Sequence, residues 1–189
     1  MTKEELRKIY REKRKQLSGK EIEKYNDQIL INFQQISLPF LNCIHTFITS
    51  ERLVEADTSK IIRYLQFKTP GLKIFVPKID ITSGKMQHLH FNDEVKWANN
   101  KFGITEPVSG TLIEPGEIDL VLLPLLSFDR KGFRVGYGKG YYDKFLSECR
   151  KDVLKIGLSF FEPVDRIDNI NQFDIPLNYC VTPQQVFEF

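Results

Sequence analysis

The stretch Asp119-Leu-Val-Leu-Leu-Pro124-Leu-Leu-Ser-Phe-Asp129-Arg-Lys-Gly132-Phe-Arg134-Val-Gly136-Tyr137-Gly138-Lys139-Gly140-Tyr141-Tyr142-Asp143 decides how the rest of the chain is read. It opens on a short apolar run, Leu120 to Leu126, bounded by Asp119 and Ser127. That run is too short to span a membrane and reads as a buried strand of an α/β sheet. A polar turn, Asp129 to Gly132, leads to three glycines at every second position, with Lys139 between the last two. Glycines so placed let the backbone take positive φ and approach a ligand, so that successive amides converge on an anion. Lys139 adds a point charge, Arg134 a planar fork of donors, and Asp143 a carboxylate of the kind that holds Mg²⁺. Together they describe a nucleotide phosphate site.

The spacing is neither a dinucleotide fingerprint nor a Walker loop, because no Ser or Thr follows Lys139. Taken alone, Gly-x-Gly-x-Gly also fits a tight hairpin turn. Tyr141 to Arg150 reads as a helix with Tyr142, Phe145, Leu146 and Cys149 on one face, which puts the glycines at a helix N-terminus, where an anion is favoured. Asp143 falls in its first turn, so helix capping and metal binding are both open to it.

At 189 residues the chain fits one domain, 1–189, which buries about 70% of its unfolded surface. A net charge of +2 is too small to argue for nucleic acid. No run of about 18 apolar residues is present, so no membrane span is expected. The opening Met-Thr-Lys-Glu-Glu lacks a signal-peptide core and is too acidic for a mitochondrial presequence. Cys43, Cys149 and Cys180 are odd in number and far apart, which suggests reduced thiols and a cytoplasmic location. His88 and His90 alternate about Leu89 with no third ligand nearby, and read as surface residues.

Thr2 with Glu5, and Ser18 with Glu21, form two capping boxes that start two helices. On the first, Lys3 and Arg7 lie four apart on one face and can point together at a phosphate, while the other five cations (Lys8, Arg11, Lys13, Arg14, Lys15) read as solubilising. Leu41 to Ile48 reads as a strand, with a core or edge role for His45. Thr49 to Thr58 reads as a loop in which Asp57 or Thr58 caps a helix. Lys73 to Pro77 is a strand ending at proline, Gly84 to Phe91 a further strand, and Leu154 to Phe160 the last core strand. Trp97, Phe102 and Gly103 to Pro107 form an aromatic, proline-bounded loop.

The string Pro124, Phe128-Asp129, Gly132, Arg134-Val-Gly-Tyr-Gly-Lys-Gly-Tyr-Tyr-Asp143 resembles the signature of the 5-formyltetrahydrofolate cyclo-ligase family, and further landmarks extend the likeness from residue 3 to about residue 182. The resemblance implies a single three-layer α/β/α domain with a mixed, mainly parallel sheet, similar to the sugar-phosphate isomerase and CoA-transferase-like group. It implies ATP-dependent cyclisation of 5-formyltetrahydrofolate, with ATP and Mg²⁺ as cofactors. On it, Lys139 and Arg134 are catalytic, and Lys3, Arg7, Arg134, Gly136, Tyr137, Gly138, Lys139, Gly140, Tyr141 and Tyr142 bind nucleotide. Ile48, Glu55, Phe102, Tyr137, Gly138, Lys139, Gly140 and Tyr141 bind folate, with Phe102 stacking on the pterin. Asp143 and Asp174 hold the metal. Asn178 stands where relatives often carry Asp, and Pro163 where they carry Gln. A monomer is expected, with neither nucleic acid nor membrane as partner. The competing readings are an enzyme of similar architecture acting on a phosphorylated sugar or CoA ester, and a nucleic-acid binder built on the basic first helix.

Overall fold

The computed structural model describes residues 1–80, 85–92, 97–99 and 105–189. In chain order the elements are α1 (Lys3–Lys15), α2 (Gly19–Phe33), β1 (Cys43–His45), α3 (Ser59–Lys68), β2 (Lys73–Asp80), β3 (Lys85–His90), β4 (Trp97–Asn99) and β5 (Thr105–Pro107). They continue with β6 (Leu120–Pro124), β7 (Ser127–Phe128), β8 (Arg134–Val135), α4 (Tyr141–Glu148), β9 (Leu154–Leu158), β10 (Tyr179–Val181) and β11 (Val186–Glu188).

β6 is buried along its whole length, as a strand covered on both faces must be. It lies at the centre of a seven-stranded sheet of order β11-β10-β9-β6-β1-β2-β3. The pairings β10–β9, β9–β6, β6–β1 and β1–β2 are parallel, and antiparallel β3 and β11 close the edges. Side-chain alternation divides the core in two. Ile44, Ile74, Leu120, Leu122, Ile156 and Leu158 meet α2 and α3 on one face. Phe75, Val121, Leu123 and Cys180 meet Phe145 and Leu146 of α4 on the other. This is the expected three-layer α/β/α arrangement with a mixed, mainly parallel sheet. Helix α1 lies apart from both layers and packs Leu6 and Tyr10 on Leu126, Val135 and Ile167.

Both capping boxes form, with Thr2 and Ser18 each accepting from the third helical amide. Asp57 receives the Ser59 amide at 2.9 Å, whereas Thr58 makes no side-chain cap. The turn after β7 is held by Asp129, whose Oδ1 accepts from Lys131 N–H at 2.9 Å and Phe133 N–H at 3.1 Å.

Three expectations are corrected. Pro77 does not end its strand, since β2 runs on to Asp80. The alternation that sends Ile74 O to Phe91 N–H and Phe75 O to Thr46 N–H turns the Pro77 nitrogen towards β1, beyond the last β1 residue, so no ladder bond is lost. β9 is not the last core strand, because β10 pairs parallel to it. His88 is not on the surface: it is 4% exposed and stacks on Phe145 at 4.0 Å between ring centroids.

Gly157, in the middle of β9, offers no room for a side chain. An added Cβ would lie 2.5 Å from Leu125 Cδ2 and 2.8 Å from Leu177 Cδ1. Gly157→Ala is therefore expected to cost about 1–3 kcal/mol of stability through overpacking, read as a lowered midpoint of urea unfolding.

Candidate functional site

Strand order fixes where a ligand can sit. From β1 the chain crosses by α3 to β2 on one side, and from β6 it crosses by α4 to β9 on the other. The direction of winding reverses between β1 and β6, which are neighbours, and the loops leaving their C-terminal ends part to leave a crevice. The loop after β1 carries Ile48 and Glu55. The loop after β6 carries the hairpin β7–β8 and the glycines.

A chain of hydrogen bonds joins these two loops. Tyr137 Oη donates to Glu55 Oε1 at 2.7 Å and accepts from Arg14 Nη1 at 2.9 Å. The second Glu55 oxygen accepts from Ser50 N–H at 3.0 Å. Arg14 also donates to Leu53 O at 3.1 Å and, through Nη2, to Leu125 O. Burial pushes the Glu55 carboxyl above its usual value, opposed by the Tyr137 hydroxyl, the Ser50 amide and the Arg14 charge. Burial likewise raises the Tyr137 and Tyr142 phenols. The Tyr142 hydroxyl is buried with no hydrogen-bond partner among the described residues. Ile48 is half-buried three residues past the end of β1. Phe102 lies outside the described residues.

Of the three alternating glycines, two need to be glycine for their backbone: Gly138 has φ +95° and Gly140 φ +71°. Arg7 spans them, donating from Nε to Gly136 O at 2.9 Å while its guanidinium lies 3.2 Å from where a Gly138 Cβ would stand. Gly140 is the N-cap of α4 and has no side chain to satisfy the first amides of the helix, which leaves them directed at the loop. Lys139 is exposed and makes no ion pair among the described residues. Tyr141 is half-buried beside it.

The two carboxylates expected to hold metal each have a cation. Arg134, 8% exposed, donates from Nη2 to Asp143 Oδ1 at 2.8 Å and from Nη1 to Ile175 O at 2.5 Å. Asp143 Oδ1 also takes Ile175 N–H at 3.2 Å, so both bonds fall on one oxygen and Oδ2 is left to the cavity. Lys3 Nζ sits 2.5 Å from both Asp174 oxygens, so Lys3 and Arg7 do not converge on one point. No group of three His, Cys, Asp or Glu is placed to hold a metal among the described residues. Asp143 and Asp174 line one cavity and fit Mg²⁺ as a partner of ligand phosphate, an ion that takes one or two carboxylates and fills its shell with phosphate and water.

Arg14, assigned to solubility on sequence grounds, is 3% exposed and central to the site. The signal was its spacing: Lys3, Arg7 and Arg14 fall at i, i+4 and i+11, one face of α1, where Leu6 and Tyr10 are also buried.

Fold and site define an α/β protein whose loops meet at the reversal point of a parallel sheet, beside an open helix N-terminus. A family model for 5-formyltetrahydrofolate cyclo-ligases matches residues 1–183. The 5-formyltetrahydrofolate cyclo-ligase of Mycoplasma genitalium is 48% identical over 48 residues, 25% of this chain and 29% of that protein. The mitochondrial 5-formyltetrahydrofolate cyclo-ligase of Arabidopsis thaliana is 30% identical over 162 residues, 74% of this chain and 58% of the relative. The chain thus spans less than two thirds of the length of both relatives. The NMR structure of Aquifex aeolicus 5,10-methenyltetrahydrofolate synthetase superposes with a TM-score of 0.80 at 27% identity, covering 100% of this chain and 93% of the other. The structure of the 5,10-methenyltetrahydrofolate synthetase from Mycoplasma pneumoniae, 22% identical, has the same fold with a TM-score of 0.76 over 97% of this chain and 99% of its own. The chain belongs to the 5-formyltetrahydrofolate cyclo-ligase family.

Because burial raises the Glu55 carboxyl in the folded state, the folded chain holds that proton more tightly than the unfolded one. The stability this contributes is present below the unfolded value and lost as pH rises through the folded one. Melting temperatures of the wild type and Glu55→Gln should therefore move in favour of the variant between about pH 4 and pH 7. A difference that does not change with pH would contradict this.

Proposed function

We propose that the chain closes 5-formyltetrahydrofolate to 5,10-methenyltetrahydrofolate, with ATP converted to ADP and phosphate. The observation that carries this reading is the 2.7 Å hydrogen bond between Tyr137 and Glu55, which ties the loop after β1 to the glycine loop. Two ligands bound to these loops would meet at that point. Membership of the family and the names of its relatives support the choice of folate and nucleotide.

The chemical difficulty is that a formyl amide carbon is a poor electrophile and its oxygen a poor leaving group. Transfer of the γ-phosphoryl to the formyl oxygen breaks the bond to the β-phosphate oxygen and gives an N5-iminium phosphate with ADP. N10 then attacks the activated carbon, the carbon–oxygen bond breaks, and the N10 proton leaves with the phosphate. Atoms and charge balance with no net proton taken up.

Phosphoryl transfer asks a protein mostly for positioning and neutralisation of charge. Lys139 and the amides from Gly136 to Gly140 would hold the phosphates, and Arg7, folded over Gly138, adds charge on the other side. Arg134 acts through Asp143, fixing that carboxylate with its Oδ2 open. Mg²⁺, when bound to Asp143 and Asp174 with phosphate, would supply neutralisation of the transferred group. Glu55 would accept from the polar pterin edge, with Ile48 and Tyr141 as apolar walls and Phe102 as the stacking ring.

The test is methenyl absorbance on mixing the chain with 5-formyltetrahydrofolate, with and without ATP. Turnover is expected only with ATP. Lys139→Ala should lower kcat/KM about 10- to 100-fold, the worth of one charge-assisted hydrogen bond, with the melting temperature unchanged because the side chain is exposed. Unchanged kinetics would remove the glycine loop from the reaction.

A further inference from the structure

Arg14 shares the buried face of α1 with Leu6 and Tyr10, which pack on Leu126, Val135 and Ile167. An apolar residue at position 14 would extend that contact without the desolvation that a charge demands. The chain instead buries a guanidinium there at 3% exposure, with no carboxylate against it among the described residues. Its Nη1 donates to Leu53 O at 3.1 Å and to Tyr137 Oη at 2.9 Å, and its Nη2 donates to Leu125 O. Leu53 belongs to the loop after β1, and Leu125 directly follows β6. The planar fork is therefore fastened to both walls of the crevice, which packing of α1 alone does not call for.

That fastening decides which way Tyr137 points its proton. A guanidinium only donates, so the phenol oxygen accepts from it and the single phenol hydrogen is left for Glu55 Oε1, 2.7 Å away. Ser50 N–H holds the other Glu55 oxygen at 3.0 Å. Both carboxylate oxygens are thereby fixed as acceptors, each with a lone pair to spare, in a place where burial favours the protonated form. The groups that face this carboxyl are Arg14 from α1, the Tyr137 phenol from the glycine loop and the Tyr142 phenol from α4. Burial raises both phenols, which stay neutral, so among these groups Arg14 alone sets a charge against Glu55.

We propose that Arg14 is a positioning residue for the folate: acting through Tyr137, it holds Glu55 as an acceptor-only carboxylate for the N–H donors of the pterin edge. The inference rests on the proposed function in one respect, the placement of the pterin against Glu55. Arg14 itself touches no substrate. A protonated Glu55 would turn an O–H towards those donors and lose an acceptor site. Without the fork the phenol is free to turn its hydrogen elsewhere, and the carboxyl loses both its orientation and its nearest cation. The effect of Arg14 therefore falls on the affinity for folate and on its pH dependence, and leaves phosphoryl transfer to the glycine loop.

The experiment compares the full chain with Arg14→Met and Arg14→Lys, in the presence of Mg²⁺ and with a melting curve for each. Arg14→Met is expected to raise the KM for 5-formyltetrahydrofolate about 10- to 100-fold, with kcat and the KM for ATP nearly unchanged. The pH below which the folate KM climbs should lie about one unit higher than in the wild type, because the carboxyl has lost an opposite charge. Arg14→Lys keeps the charge without the fork, so it should raise the folate KM and leave that pH where it was. A part played only in stability would lower kcat with the active fraction and move neither KM nor the pH profile. A wild-type folate KM in either folded variant overturns the proposal, and if Arg14→Met does not fold, Arg14→Lys decides. The ¹³C titration of the Glu55 carboxyl needs no ligand: a higher midpoint in folded Arg14→Met is expected, and an unmoved one overturns the proposal. Calorimetric binding of 5-formyltetrahydrofolate separates this inference from the reaction. Weaker binding in the variants, with no methenyl formed by the wild type, would refute the reaction alone. Normal wild-type turnover with unaltered folate binding in the variants would refute the role of Arg14 alone.

Discussion

Arg14 is a buried cation with no carboxylate against it. Its guanidinium donates to two carbonyl oxygens, Leu53 and Leu125, and to the Tyr137 phenol, and its Nε finds no partner among the described residues. Taking a charge out of water costs several kcal/mol even after relaxation, so the arrangement persists only because a counter-charge is close. That counter-charge is Glu55, one hydrogen bond further on through Tyr137. Each half of the pair needs the other, since Glu55 is itself 7% exposed. The phenol between them donates to the anion and accepts from the cation, the one orientation that serves both. Through this relay α1, the loop after β1, the end of β6 and the glycine loop become one body.

The relay has meaning only where the sheet puts it. β1 and β6 are parallel neighbours whose onward crossovers leave to opposite faces, α3 to one and α4 to the other. β2 and β10 turn straight back into their antiparallel neighbours β3 and β11 with no helix between, whereas the chains leaving β1 and β6 diverge to helices on opposite faces and are bridged by a side chain. Tyr137 is that bridge. The hairpin turn at Asp129 serves the same end: its Oδ2 takes Ile167 N–H at 3.2 Å, fixing the hairpin before the chain reaches Arg134.

What the sequence made legible was what depends on near neighbours. Two capping boxes, the buried strand at Leu120, the polar turn at Asp129 and the helix after Gly140 are all set within a few residues, and all stand where expected. The strand expected over Leu41 to Ile48 is shorter than its apolar run, because β1 keeps strand geometry only from Cys43 to His45. Charge partners across the fold were not legible at all. Lys3 meets Asp174 and Arg134 meets Ile175 and Asp143, pairings that local pattern cannot choose. Arg14 was hidden among neighbouring cations, because heptad spacing shows which face a residue shares but not that the face is buried. The short C-terminal strands β10 and β11 carry too few residues to show a period.

The same limit explains the buried imidazoles, and they bear on the site. His45 is fully buried and His88 nearly so, with ring centroids 5.0 Å apart and Phe145 at 4.7 Å from the first and 4.0 Å from the second. Desolvation lowers both, His88 to about 4, so near neutral pH they are uncharged flat rings. Neutral rings pack against Phe145 as aromatic surface does, and a charged pair in that position would repel. The pair therefore serves as a seat for α4, one side supplied by β1 and the other by β3. How α4 rests on the sheet sets where its first turn begins, and that first turn carries Gly140, Tyr142 and Asp143. The position of the glycine loop is in this way decided twice, by the relay from Arg14 at its front and by histidine packing at its back.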